Sequence, residues 1–146
     1  MLVLLMGHFI GDYYLQWNQL IQLKKTSFAY LLLHVLIYVL PFMGSVILFR
    51  YDLREWVAFL LVIFVSHMLI DMGKKYLDKW LSDKKYIFMN FCIDQLLHIV
   101  VLWMYHSYFV VEGIWIWLVF IVIVVIQPIP LAIKLYKLST VPKMEL

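Results

Sequence analysis

A chain of 146 residues that is 66% hydrophobic and only 14% charged is not a water-soluble domain, for which about 45–50% apolar and about 25% charged residues are usual. The net charge of +3 is small and unevenly placed, which excludes a nucleic-acid binder and reads instead as orientation in a bilayer. One cysteine, Cys92, excludes a fold stapled by an intramolecular disulfide.

In chain order, residues about 1–17 form a first candidate span. It is short and carries His8 and Asp12. No basic residue precedes its apolar run and no small-residue cleavage site follows, so it is expected to be a retained helix and not a signal peptide. Residues 18–27 read as a polar loop holding Lys24 and Lys25. A second span covers about 28–49, with His34 near its start and Pro41 as a kink point. A charged turn at 50–55 leads to a third span at about 56–73, carrying His67 and Asp71. In the polar stretch 74–85, Tyr76, Leu77, Trp80 and Leu81 recur at three- and four-residue spacing, the pattern of a short helix lying on the membrane surface. A fourth span at about 86–105 carries Asp94 and His98, and His106 falls at its outer end. The fifth, about 113–133, holds no ionisable residue, and Pro128 and Pro130 are expected to bend or end it. The expectation is a single all-α integral-membrane domain, a polytopic transmembrane helical bundle of about five spans with a short interfacial helix between spans three and four.

Five spans put ten of the twelve basic residues on one side: Lys24, Lys25, Lys74, Lys75, Lys79, Lys84, Lys85, Lys134, Lys137 and Lys143. Arg50 and Arg54 lie on the other, beside Asp52 and Glu55. The positive-inside rule then places the N-terminus outside and the C-terminus in the cytoplasm.

Residues four apart on a helix share a face. His8 with Asp12, His67 with Asp71, and Asp94 with His98 are therefore three imidazole–carboxylate units. The order of the pair reverses in span four, where the chain direction also reverses. In all three spans the aspartate lies nearer the lysine-rich side and the histidine deeper, and His34 falls at the same depth. One shared site follows, drawn from His8, Asp12, His34, His67, Asp71, Asp94 and His98. Imidazole nitrogens and carboxylate oxygens suit a divalent metal, zinc foremost and iron or manganese next. Seven candidates exceed the four ligands of one zinc, so either two ions are held, or one ion is held and some aspartates orient the histidines. Ser66, Asn90, Gln16 and Gln95 lie beside the set and could donate to it. Two other readings stand beside the metal: a metal-free His–Asp network that ties the helices together, and a relay that carries protons or ions.

The motifs His8-Phe-Ile-Gly-Asp12-Tyr-Tyr-Leu-Gln16, Leu-Leu-His34, Ser66-His67-Met-Leu-Ile-Asp71 and Asp94-Gln95-Leu-Leu-His98 together resemble the bacterial transmembrane family called domain of unknown function 3307, over roughly residues 4–105. That resemblance implies no activity. The chain also loosely resembles membrane proteins described as metal-dependent hydrolases, which use His and Asp in short helical bundles. This second likeness implies hydrolysis, with a metal-activated water as attacker and Asp71 or Asp94 as the carboxylate base. The expected substrate is a lipid-linked or amphiphilic phosphoester at the cytoplasmic leaflet of the inner membrane. The expected partners are membrane lipids, that substrate and a second copy of the chain. An ion, proton or metal transporter or sensor, and a structural membrane subunit, are the alternative functions.

Overall fold

The computed structural model describes residues 1–44, 52–105 and 113–140. Each described stretch is helical, because an apolar chain in lipid must satisfy its backbone hydrogen bonds within itself. Helix α1 (Leu2–Phe9) runs directly into a π-helical segment, Ile10–Tyr14. Helix α2 spans Asn18–Thr26 and α3 spans Phe28–Met43, meeting at Ser27, which is extended. Helix α4, Leu53–Trp80, is the longest at 28 residues. Asp52 caps it by accepting from the Arg54 backbone N–H, and Glu55 in its first turn complements the helix dipole. A 3₁₀ turn, Lys84–Tyr86, leads into α5, Ile87–Met104. Helix α6, Ile114–Ile126, starts from Gly113, whose φ of +145° suits glycine alone. Helix α7, Pro128–Thr140, follows after the break at Gln127, with Pro128 in the first helical position that proline favours.

The protein is an all-α polytopic transmembrane bundle. Leu53–Trp80, Lys84–Met104 and Ile114–Thr140 are long and apolar enough to cross a membrane, and Phe28–Met43 is a shorter apolar helix. Two stretches differ from the sequence reading. Within residues 18–27, expected as a loop, Asn18–Thr26 form α2, which lays Leu20 against the bundle and carries Lys24 and Lys25 in its last turn. Residues 74–80, expected as a separate surface helix, are the last turns of α4; nothing in Gly73-Lys74-Lys75 interrupts the hydrogen-bond ladder. Pro41 sits in the last turn of α3, and the helix continues past it to Met43. Residues 45–51, 106–112 and 141–146, and with them the readings of Arg50, His106 and Lys143, lie outside the described residues.

The interior has two unlike halves. One is apolar: Leu4, Tyr38, Val39, Phe42, Phe59, Ile63 and Leu102 form a buried cluster. The other is polar: His8, His34, His67, Asp71, Asn90, Asp94 and His98 are all buried. The two meet at Tyr38. Helix α1 reaches α3 through its glycines. A Cβ on Gly11 would lie 2.8 Å from Tyr38 Cδ2 and 2.9 Å from the Tyr38 carbonyl oxygen, so the two backbones touch there. At its far end Tyr14 donates to the Ile123 carbonyl at 2.7 Å, tying α1 to α6.

Candidate metal centre

Helices α1, α3, α4 and α5 each turn part of the polar set inward. His34 comes from α3 and His67 from α4, and their Nε2 atoms face each other at 3.0 Å. Two imidazole nitrogens so close can share one proton, but both cannot carry one. Asp12 Oδ1 lies 3.4 Å from His34 Nε2 and 3.9 Å from His67 Nε2. Among the described residues, these three form one of two groups able to hold a metal ion. Their separations bracket the roughly 3.3 Å edge of a tetrahedron with metal–nitrogen bonds of about 2.0–2.1 Å. Three protein ligands with a fourth position open is the arrangement of catalytic, and not structural, zinc sites. The second group is His67, Asp71 and His98, all buried. Asp71 Oδ2 stands 3.3 Å from His34 Nε2.

Two lysines hold the carboxylates. Lys24 donates to Asp71 Oδ2 at 2.8 Å, and Lys74 donates to Asp94 Oδ2. Gln95 also donates to Asp94 Oδ2, at 3.1 Å. Asp12, Asp71 and Asp94 with these lysines form one wall of a cavity of about 790 Å³. Lys25 and Lys75 also line it, and Ile87, Phe91, Leu131 and Leu135 supply apolar lining from α5 and α7. The imidazoles lie beneath this wall. The ordering expected from sequence, aspartate toward the lysine side and histidine deeper, is the ordering found.

His8 stands apart from both groups. Tyr38 donates its hydroxyl to His8 Nδ1 at 3.0 Å, and His8 Nε2 donates to Gln95 Oε1 at 3.1 Å. Both ring nitrogens are thus engaged, which fixes a neutral tautomer and leaves no lone pair for an ion. The reason lies in the π segment: its wider turn changes the angular step between His8 and Asp12. His8 then faces Tyr38 and Gln95 while Asp12 faces His34, so the pair no longer shares one partner. Of the side residues, Gln95 joins the network and Asn90 donates to Asp78 Oδ1 at 3.2 Å. Gln16 donates to the Asp12 carbonyl at 3.1 Å, and Ser66 to the Ile63 carbonyl at 3.2 Å. Cys92 is exposed.

The sequence reading missed three features. Lys24 and Lys74 counted only as topology charges, because their reach across helices leaves no spacing signal. Gly7 and Gly11 form a small-x-x-x-small pair, the signature of close helix approach. Tyr38 stacks on His67 with centroids 3.5 Å apart and planes 13° from parallel, fixing that ring. Tyr38→Phe keeps the stack and removes the hydroxyl. It should cost about 1–3 kcal/mol through the unpaired His8 nitrogen and leave metal affinity unchanged. Chemical denaturation beside a metal titration checks this, and a loss of affinity as large as that of His34→Ala would refute it.

The family model described as "Protein of unknown function (DUF3307)" matches residues 1–126. The chain belongs to this family. No curated protein and no solved structure matches. For this DUF3307 member the reading of function therefore rests on the site itself: a membrane bundle with His/Asp groups placed to hold a metal ion.

Proposed function

We propose that this DUF3307 protein is a metal-dependent hydrolase that cleaves a lipid-linked or amphiphilic phosphoester at the cytoplasmic leaflet of a bacterial inner membrane, with its N-terminus outside and its C-terminus in the cytoplasm. The observation that carries the reading is the Asp12–His34–His67 group lying behind a cavity lined by carboxylates, lysines and apolar side chains. A divalent ion there, zinc foremost, would lower the pKa of a bound water and polarise a phosphoryl oxygen. The water oxygen would form the new bond to phosphorus as the ester P–O bond breaks. Asp71 or Asp94, both on the cavity wall, would take the water proton and pass it to the departing alkoxide. Lys25 and Lys75, without a carboxylate partner among the described residues, are placed to meet the phosphate, and the apolar lining of α5 and α7 to meet a hydrocarbon chain.

The relay reading has less support. Proton or ion passage needs polar groups through the full depth, and the buried cluster of Leu4, Val39, Phe42, Phe59, Ile63 and Leu102 is apolar. The test is phosphate release from chain-bearing phosphomonoesters by protein loaded with zinc or manganese in detergent. Asp71→Asn should retain its fold and lose activity by about 10²–10⁴-fold. If the wild type releases no phosphate, while vesicles containing it pass protons or Zn²⁺ in a manner lost in Asp94→Asn, the relay replaces the hydrolase. If neither activity exists in stable, metal-loaded protein, the structural-subunit reading stands.

A further inference from the structure

The Asp12–His34–His67 group leaves part of the buried polar set unexplained. His98 Nε2 and Asp94 Oδ1 are both buried, and neither has a hydrogen-bond partner among the described residues. They face each other at 3.7 Å, too far for a hydrogen bond. An ion about 2.1 Å from each would subtend roughly 120° between them, an angle open enough for a third ligand. Asp71 is the nearest further candidate, since His98, Asp71 and His67 bring ligand atoms within 4.8 Å of one another. Asp94 Oδ2 is taken by Lys74 and Gln95, so Oδ1 is its remaining acceptor.

The relation between the two halves is set by ring stacking. The His67 and His98 rings lie with centroids 4.4 Å apart and planes 30° from parallel. Ions held on the same edge of these two rings would sit about one ring spacing apart. That spacing is close to the roughly 3.5–4 Å between the ions of two-metal hydrolases.

We infer that the bundle holds two divalent cations side by side, the first on Asp12, His34 and His67 and the second on Asp71, Asp94 and His98. This inference rests on the hydrolase reading for its purpose but concerns metal content alone. Two bound ions would supply the acidity of the attacking water, and Asp71 and Asp94 would act as ligands instead of as the proton acceptor. Lys24 and Lys74 then balance the charge of those two carboxylates from the cavity side.

The experiment is elemental analysis and manganese electron paramagnetic resonance of the full chain, purified in detergent, saturated with Mn²⁺ and freed of excess. The wild type should hold two equivalents and show the spectrum of a spin-coupled pair. His98→Ala should hold one, uncoupled, and His34→Ala should also hold one. A wild type with one equivalent and an isolated-ion spectrum, unchanged in His98→Ala, overturns the second site and leaves the single-ion hydrolase standing. No bound ion in the wild type overturns both. If either variant fails to fold, the wild-type stoichiometry and coupling decide alone.

Discussion

In detergent, a saturating divalent ion is expected to raise the thermal unfolding midpoint of the wild-type chain by roughly 5–10 °C and to leave a His67→Ala/His98→Ala chain where it was. An ion that binds only the folded state, present at about a hundred times its dissociation constant, contributes about 2.7 kcal/mol. At this chain length each kcal/mol moves the midpoint by about 2–4 °C. His98 and His67 are the residues on which this depends, because among the described residues His98 belongs to one group able to hold an ion and His67 to two. His67 also faces His34 at 3.0 Å and stacks on Tyr38 and His98. Cys92→Ala, at an exposed position, serves as the control and should respond as the wild type does. A wild-type midpoint that neither added ion nor chelator moves would exclude a folding-linked metal.

The second large effect concerns a residue with no chemistry of its own. Gly11→Ala should destabilise the chain by roughly 1–3 kcal/mol and weaken metal binding at the same time. The added Cβ would lie 2.9 Å from the Tyr38 carbonyl oxygen and 3.1 Å from its Cα. Backbone cannot swing aside, so α1 must move off α3. That movement carries Asp12 away from His34, 3.4 Å distant. Gly7→Ala provides the contrast. The three atoms nearest its Cβ all belong to the Phe42 ring, the closest at 2.9 Å, so a side chain and not backbone must give way. Denaturation midpoints and metal affinities of the two variants check the argument, and equal losses would show that backbone contact is not the cause.

Much of the site was legible in the sequence because an α-helix repeats every 3.6 residues. His67 with Asp71 and Asp94 with His98 sit four apart on regular helices, so spacing placed each pair on one face. The reversal of order with chain direction placed the aspartates at one level. The rule failed at His8, where the helix is not regular: the π segment between His8 and Asp12 obeys a different angular step. It was silent on Lys24 and Lys74, because an ion pair between helices depends on how the helices pack and not on how residues are spaced. Helix α2 was illegible for a related reason. Its polar composition resembles a loop, and what orders it is Leu20, fully buried against the rest of the bundle.

Helix α4 also acts as a strut. Its 28 residues span about 42 Å, well beyond the roughly 30 Å hydrocarbon thickness of a bilayer. Phe59, Ile63, His67 and Asp71 follow one another down its buried face, and Lys74 and Asp78 continue onto the cavity wall. No break separates the part that packs in lipid from the part that carries the charges. The depth of the imidazoles below the headgroups is therefore fixed by how this one rod is matched to its membrane. A thicker bilayer draws the rod upright and a thinner one tilts it, and either change shifts the His/Asp groups relative to the lipid surface. Acyl-chain length of the host membrane thus becomes a variable of the site, transmitted without any hinge.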